Sequence, residues 1–227
     1  MILLPPKRFW GLAKLASVSL GMLLLLTGCV SPKPLPYQFS QPLPTPSHGP
    51  ELGITPTKNA RPARDNMDKV LKIPECLDEV LVRELQGAGV FKQVSLTTRG
   101  IAADHYLLEP SLVDLRWEVP DYKRKVSTAF TISLLTGGIG GIGYGATGTD
   151  VFGHATLHIK LIDPRQQQVV LERDYRATAK DNRSKLRCDT PTTYREMAAS
   201  ALKQAIEDFK KDLQQLQISP PKATPAT

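Results

Sequence analysis

The sequence predicts an α+β fold, a two-layer domain in which two helices lie on one face of a mostly antiparallel sheet. Two segments, 77–88 and 194–216, repeat apolar residues every three or four positions, as amphipathic helices do. The segment 151–178 alternates apolar and polar residues with the period of a half-buried strand, and Asp163-Pro164-Arg165 divides it into a hairpin. One sheet covered by two helices accounts for all three observations.

The remaining elements follow in chain order. Leu52-Gly53-Ile54 predicts a short first strand within 51–57, ended by Pro56. Pro74 opens the first helix, which glycines at 87 and 89 stop. Strands are predicted over 90–96 and 104–119, with Pro110 marking a bulge or an edge. Thr190-Pro191 begins the last helix, whose alanines allow it to lie close to a sheet.

Residues 1–28 have the three parts of a secretory signal. Lys7, Arg8 and Lys14 make the front positive, an apolar run follows over 15–26, and small residues precede a cysteine. Leu26-Thr27-Gly28-Cys29 resembles the bacterial lipobox, so we expect Cys29 to carry acyl chains of the palmitate kind that anchor the chain to a membrane. The alternative is a membrane helix with an incidental cysteine, but the apolar run is short for a span.

The signal places the mature chain in the bacterial cell envelope. Val30 and Ser31 follow the cysteine where inner-membrane lipoproteins often have aspartate, which favours the outer membrane, facing the periplasm. Seven prolines between residues 30 and 50 predict an extended, lipidated Pro-rich tether over 29–50, with the folded domain over 51–218. The Pro-rich tail, 219–227, is predicted to be disordered.

Charge and cysteine content limit the partners. Lys and Arg number 29 and Asp and Glu 22, and three of the bases belong to residues 1–28, so the mature chain is only mildly basic. With no basic run, nucleic acid is not an expected partner.

Cys76 and Cys188 remain after Cys29, and in an oxidising periplasm such a pair predicts a disulfide. Two separate buried thiols are the alternative.

An apolar, glycine-rich insertion spans 126–149, and no charged residue occurs between Lys125 and Asp150. We interpret it as a contact segment, a helix or hairpin that enters a membrane or packs on a partner. A loop folded back on its own core is the alternative. Gly137, Gly141 and Gly145 have the spacing of close helix contacts. The expected contact residues are Phe130, Ile132, Leu134, Leu135, Ile139, Ile142 and Tyr144.

No motif predicts catalysis, a metal or a cofactor. The sequence has no G-x-S-x-G, no H-E-x-x-H and no phosphate-binding loop. His154 and His158 share one strand face but would stand roughly 13 Å apart, too far to bind one metal. We therefore expect a protein that is not an enzyme.

Three phrases resemble a known group. Residues 85–94 (LQGAGVFKQV), 103–109 (ADHYLLE) and 161–165 (LIDPR) are similar to envelope lipoproteins with a TolB-N-terminal-like fold, among them the curli-secretion lipoproteins and the lipoprotein subunits of envelope lipid-transport systems. Pro110 stands where this group more often has glycine. The resemblance implies an accessory role in envelope assembly, export or lipid transport through protein contacts. A stand-alone structural or adhesive lipoprotein is the alternative, and a homo-oligomer stays open.

Replacing the lipidation cysteine tests the lipobox directly. Cys29→Ser removes the thiol that accepts the first acyl group, so the chain should no longer incorporate labelled palmitate and should leave the membrane fraction, or stay there only as unprocessed precursor. Cys76→Ser is the matched control and should be labelled like the wild type. Equal labelling of Cys29→Ser would show that the acyl chains are attached elsewhere.

Overall fold

The computed structural model describes residues 35–62, 75–97, 105–136, 140, 143–144, 147–163, 165–185, 187–188 and 190–216. The predicted signal segment and C-terminal tail lie outside this part of the chain. The described elements run in the order β1 (Glu51–Ile54), β2 (Lys58–Asn59), α1 (Glu75–Gln86), β3 (Gln93–Leu96), β4 (Tyr106–Glu118), α2 (Tyr122–Leu135), β5 (Gly148–Asp163), β6 (Gln168–Ser184) and α3 (Pro191–Gln215).

The sheet has the order β3-β1-β4-β5-β6, and β2 also lies beside β4. The three long strands, β4, β5 and β6, are antiparallel, whereas the short strands β1, β2 and β3 form parallel pairs. The predicted two-layer α+β class is confirmed. The prediction did not include the parallel pairing of the short strands. A strand connected to its neighbour through a helix, as β3 is to β1 through α1, runs parallel to that neighbour.

The core lies between one face of the sheet and the helices α1 and α3. Along β5, every second residue from Thr149 to Asp163 is buried and the residues between them are half-buried. This is the pattern of a strand with one covered and one open face. Leu157, Ile159 and Leu161 are fully buried, and each adds about 1.5–3 kcal/mol by leaving water.

Helix α3 lies close to the sheet, as its alanines predict. Ala198, Ala201 and Ala205 are all completely buried. At Gly153 of β5 the approach is tightest, because a β-carbon there would collide with the backbone carbonyl of Met197. Glycine at this position therefore sets how near the helix can come.

Pro110 lies inside the sheet at a change of partner. β4 pairs with β1 as far as Leu108 and with β2 from Ser111, so Pro110 falls in the gap between them. The missing N–H of proline leaves no hydrogen bond unmade in such a gap. The irregularity in the β4–β5 pairing comes later, between Leu112 and Asp114.

Gly153→Ala should lower the free energy of unfolding by about 1–3 kcal/mol, because the helix must move away from the strand to admit a methyl group. Gly148→Ala is the matched control. Its methyl group would meet only the side chain of Asn182, which can rotate away. Urea denaturation of both variants measures the difference. Equal destabilisation would show that the Gly153 contact does not limit the packing of α3.

Candidate functional site

Helix α2 fills the first part of the insertion between β4 and β5. The chain turns after β4 at Asp121, which has a left-handed φ of 55°, and the N–H of Tyr122 donates to the carbonyl of Val119. The helix thus begins at the end of the sheet where β4 ends, β5 begins and β6 ends. We call this the α2 end of the domain; the β5–β6 turn lies at the other.

One side of α2 is an exposed apolar surface. Val126, Phe130 and Leu134 are spaced four residues apart on one face and are 48%, 65% and 69% exposed. We call these three residues the α2 stripe. Leu135, at the last helical position, is 81% exposed. The domain does not cover these side chains itself, and exposed apolar clusters of this kind mark contact sites.

The predicted contact residues differ in their exposure to solvent. Phe130, Leu134 and Leu135 are exposed, whereas Ile132 is half-buried. Tyr144 is also half-buried, with the ammonium group of Lys185 3.5 Å from the centre of its ring. Ile139 and Ile142 lie outside the described residues, as do the three spaced glycines. Sequence reasoning missed Val126, although it stands one helical turn before Phe130.

Three hydroxyl groups of α2, and that of Thr136 just after it, are bonded to the helix backbone. Ser127 and Thr128 donate to the carbonyl of Arg124 at 2.9 and 2.8 Å, and Thr131 donates to that of Ser127 at 2.9 Å. Thr136 donates in the same way to Ile132 at 2.7 Å. Side chains of this type normally bond water when exposed, but here the helix backbone satisfies them. These hydroxyl groups therefore need few solvent contacts.

The charged groups near α2 are mostly cationic. Arg124 is exposed in its first turn, and Lys125 donates a hydrogen bond to the hydroxyl of Thr149 at 2.5 Å. Lys185 lies above Tyr144. Asp121, just before the helix, is the nearest acid in the sequence. Asp150, next to Thr149, pairs with Lys180 at 2.8 Å, and the hydrogen bond from Lys180, with a smaller contribution from the nearby charge of Lys125, lowers its pKa. This end of the domain therefore offers both bases and acids beside an apolar surface.

The described part of the predicted tether, residues 35–50, is packed on the domain. We call residues 35–50 the strap. Leu35 and Tyr37 pack against the core, and the guanidinium of Arg83 lies 4.0 Å from the centre of the Phe39 ring. The N–H of Leu43 donates to the carbonyl of Gly87 at 2.8 Å. Apolar residues interleaved with the prolines explain why this segment lies on the domain rather than extending freely.

A buried ion pair fixes the strap to the helices α1 and α3. Lys210 of α3 donates to the carboxylate of Glu84 of α1 at 2.8 Å, and their side chains are only 9% and 1% exposed. The N–H of Ser40 donates to the same carboxylate at 2.8 Å, and its hydroxyl bonds Glu207. Burial opposes ionisation of Glu84, but these hydrogen bonds and the Lys210 charge hold its pKa below the ordinary value.

The start of the strap lies nearer the α2 end of the domain than its later residues do. Ser40 lies beside Glu207, whereas Pro36 lines an open depression with Arg183, and the α3 residues of this depression, from Glu196 to Lys203, lie about 6–16 Å nearer the start of α3. Arg183 pairs in the sheet with Thr149, the residue that Lys125 of α2 contacts. From Ser40 back to Pro36 the strap therefore runs towards the α2 end of the domain.

The predicted disulfide is not formed, and both Cys76 and Cys188 are thiols in the described structure. The helices α1 and α3 run in the same direction and meet at Glu84 and Lys210. Cys76 precedes Glu84 by eight residues, but Cys188 precedes Lys210 by 22. The difference places them on the order of 20 Å apart along the helices, well beyond the ~7 Å that a disulfide allows between α-carbons.

The two histidines of the open sheet face have separate partners. His154 bonds the hydroxyl of Thr178 at 3.0 Å, and His158 bonds Asp174 at 2.8 Å. Hydrogen bonds from His158 and then Arg176 hold the pKa of Asp174 below its ordinary value. Within the described ranges, no three potential metal ligands cluster. In that same part of the chain, no helix has the length and apolar character needed to cross a membrane.

Comparison with known proteins gives distant structural likenesses. No family model matches the chain, and no curated protein sequence matches it. A Xanthomonas campestris protein of the DUF330 family is 15% identical, with 83% of this chain and 94% of that chain covered and a TM-score of 0.44. A Neisseria meningitidis lipoprotein is 11% identical, with 70% of this chain and 99% of that chain covered and a TM-score of 0.34. A PelC dodecamer from Paraburkholderia phytofirmans is 10% identical, with 71% of this chain and 92% of that chain covered and the same TM-score of 0.34.

Glu84→Gln should lower the free energy of unfolding by about 3 kcal/mol at pH 7, because it leaves Lys210 buried without its main counter-charge. Since the folded-state pKa of Glu84 is depressed, its contribution is complete above the ordinary pKa of 4.5 and disappears as the pH falls through the lower folded value. The variant should lack this part of the acid dependence in denaturation measured from pH 7 to pH 3.

The exposed pair of Lys211 and Asp208 on the same helix provides the control. Asp208→Asn should change stability by less than about 1 kcal/mol. A Glu84→Gln variant as stable as Asp208→Asn would contradict the proposed contribution of the buried pair to the free energy of unfolding.

Proposed function

We propose that this chain is a lipid-anchored accessory component of an envelope assembly, export or lipid-transport complex, and that it acts by contacts rather than by catalysis. The exposed apolar side of α2 is the observation that carries the proposal. A domain with a well-packed core has no need of a helix whose Phe130, Leu134 and Leu135 point into solvent. An exposed apolar surface of this kind marks a contact with another component of the envelope, either a protein or the membrane lipid.

The anchoring part of the proposal rests on Cys29 and on the strap. The lipobox ends at Cys29, and the described packing of the chain on the domain begins at Leu35, six residues later. A lipidated cysteine would therefore hold the domain near the membrane surface. We place it at the outer membrane, facing the periplasm, because Val30 and Ser31 lack the usual inner-membrane signal.

Affinity purification of the mature lipoprotein from detergent-solubilised, mildly cross-linked envelope tests the accessory role. The tagged wild type should retain a reproducible, discrete set of envelope proteins, and the complex should exceed a monomer in size. The matched control is the tagged Cys29→Ser chain, which should lose this set because it no longer meets its partners at the membrane.

A wild-type chain that is recovered alone and as a monomer would contradict the accessory role. That result would favour a stand-alone structural or adhesive lipoprotein. Recovery of the same proteins by Cys29→Ser would show that the contacts do not depend on the anchor.

A further inference from the structure

Two independent features of the molecule lie at the α2 end of the domain. One is the exposed apolar helix, and the other is the start of the strap. Pro36 shares a depression with Arg183, whose partner in the sheet, Thr149, accepts a hydrogen bond from Lys125 of α2. Both the apolar surface and the exit of the chain towards Cys29 therefore belong to the same end.

The length of chain before the strap limits how far the anchor lies from α2. Six residues separate Cys29 from Leu35, and a fully extended chain of that length reaches about 20 Å. The helix α2 has 14 residues, so it is itself about 20 Å long. An acyl-anchored chain this short holds Leu35, at the start of the strap, within about 20 Å of the lipid.

We infer that the α2 stripe lies in the lipid surface of the membrane that holds the acyl chains of Cys29. The helix would rest at the boundary between headgroups and acyl chains, with Val126, Phe130 and Leu134 turned to the lipid. This inference rests on the lipid anchoring in the proposed function and names the component that α2 contacts. The protein contacts of the accessory role then fall on other surfaces of the domain.

The polar groups of α2 suit a lipid surface. A hydroxyl group placed among acyl chains is costly unless it is hydrogen-bonded. Ser127, Thr128, Thr131 and Thr136 all donate to backbone carbonyls of their own helix. On a helix face exposed to water, such hydroxyl groups can bond water instead of the helix backbone.

The charges at the α2 end suit anionic headgroups. The sequence holds Arg124 and Lys125 at the base of the helix, and the nearest acids, Asp121 and Asp150, stand just outside the segment from Tyr122 to Thr149. Lys185 lies over the ring of Tyr144, a pairing of cation and aromatic ring. Aromatic and basic side chains are typical of the membrane–water boundary.

The size of the α2 surface also favours lipid over a protein partner. A stable protein interface covers about 800 Å² on each side, whereas the exposed large apolar residues of α2 are the stripe and Leu135. The acyl chains already supply the membrane affinity, so a small apolar surface is enough to set the orientation of the domain.

Tryptophan quenching in vesicles tests the inference. The lipidated mature chain with Phe130→Trp is reconstituted into vesicles of phosphatidylethanolamine and phosphatidylglycerol, with either ordinary or brominated acyl chains. Bromine quenches tryptophan that reaches the acyl region, so its emission should fall about twofold in the brominated vesicles after subtraction of the wild-type signal of Trp117.

Val169→Trp is the matched control. Val169 is 41% exposed and lies beside the β5–β6 turn, at the opposite end of the sheet. Its emission should be the same in both kinds of vesicle. Circular dichroism of both variants checks that each is folded.

The outcomes separate this inference from the proposed function. A chain without acyl groups would refute the anchoring and the inference together. A lipidated chain in which Phe130→Trp is not quenched, or is quenched no more than Val169→Trp, would refute the inference alone.

A second variant identifies a protein occupant if there is one. Val126→Ser, Phe130→Ser and Leu134→Ser combined should leave the set of co-purified envelope proteins unchanged, because lipid is the expected occupant. Loss of those proteins would overturn the inference and assign the stripe to a protein partner.

Discussion

The buried ion pair between Glu84 and Lys210 is the constraint on which the arrangement of the other parts depends. It joins α1 to α3 at one level, and through the backbone of Ser40 it holds the strap against both helices. A charge buried this deeply is tolerated only when each partner is satisfied, so the three segments cannot shift independently. The direction in which the chain leaves the domain, and thus the side turned towards the anchor, follows from this one contact.

Most of the fold can be predicted from the sequence because its elements are strongly periodic. The hairpin of β5 and β6 and the long helix α3 bury one side only, and this shows directly in the alternation of residues 151–178 and 194–216. The parallel pairing of β1, β2 and β3 could not be predicted, since strands of two to four residues carry too little pattern. Proline-rich composition hid the strap, whose apolar residues at 35, 37 and 39 alternate as an extended chain on a surface requires.

The candidate site could be predicted only in part, for a different reason. The absence of charge over 126–149 revealed an apolar surface but not its orientation. Helix geometry then separates exposed Phe130 and Leu134 from half-buried Ile132. The expected disulfide failed because sequence places both cysteines near helix starts without giving the offset between the helices. That offset arises from Glu84 and Lys210, which are 126 residues apart in the chain.

The length of the β5–β6 hairpin affects the distance from the membrane at which another protein could bind. β5 has 16 residues and so extends on the order of 50 Å, from the α2 end to the turn before β6. In the inferred arrangement, with α2 at the bilayer, the turn before β6 is the end of this hairpin that lies farther from α2. A partner that recognised the turn at Asp163 would be held at a fixed distance from the lipid, set by the number of residues in a strand rather than by a flexible linker.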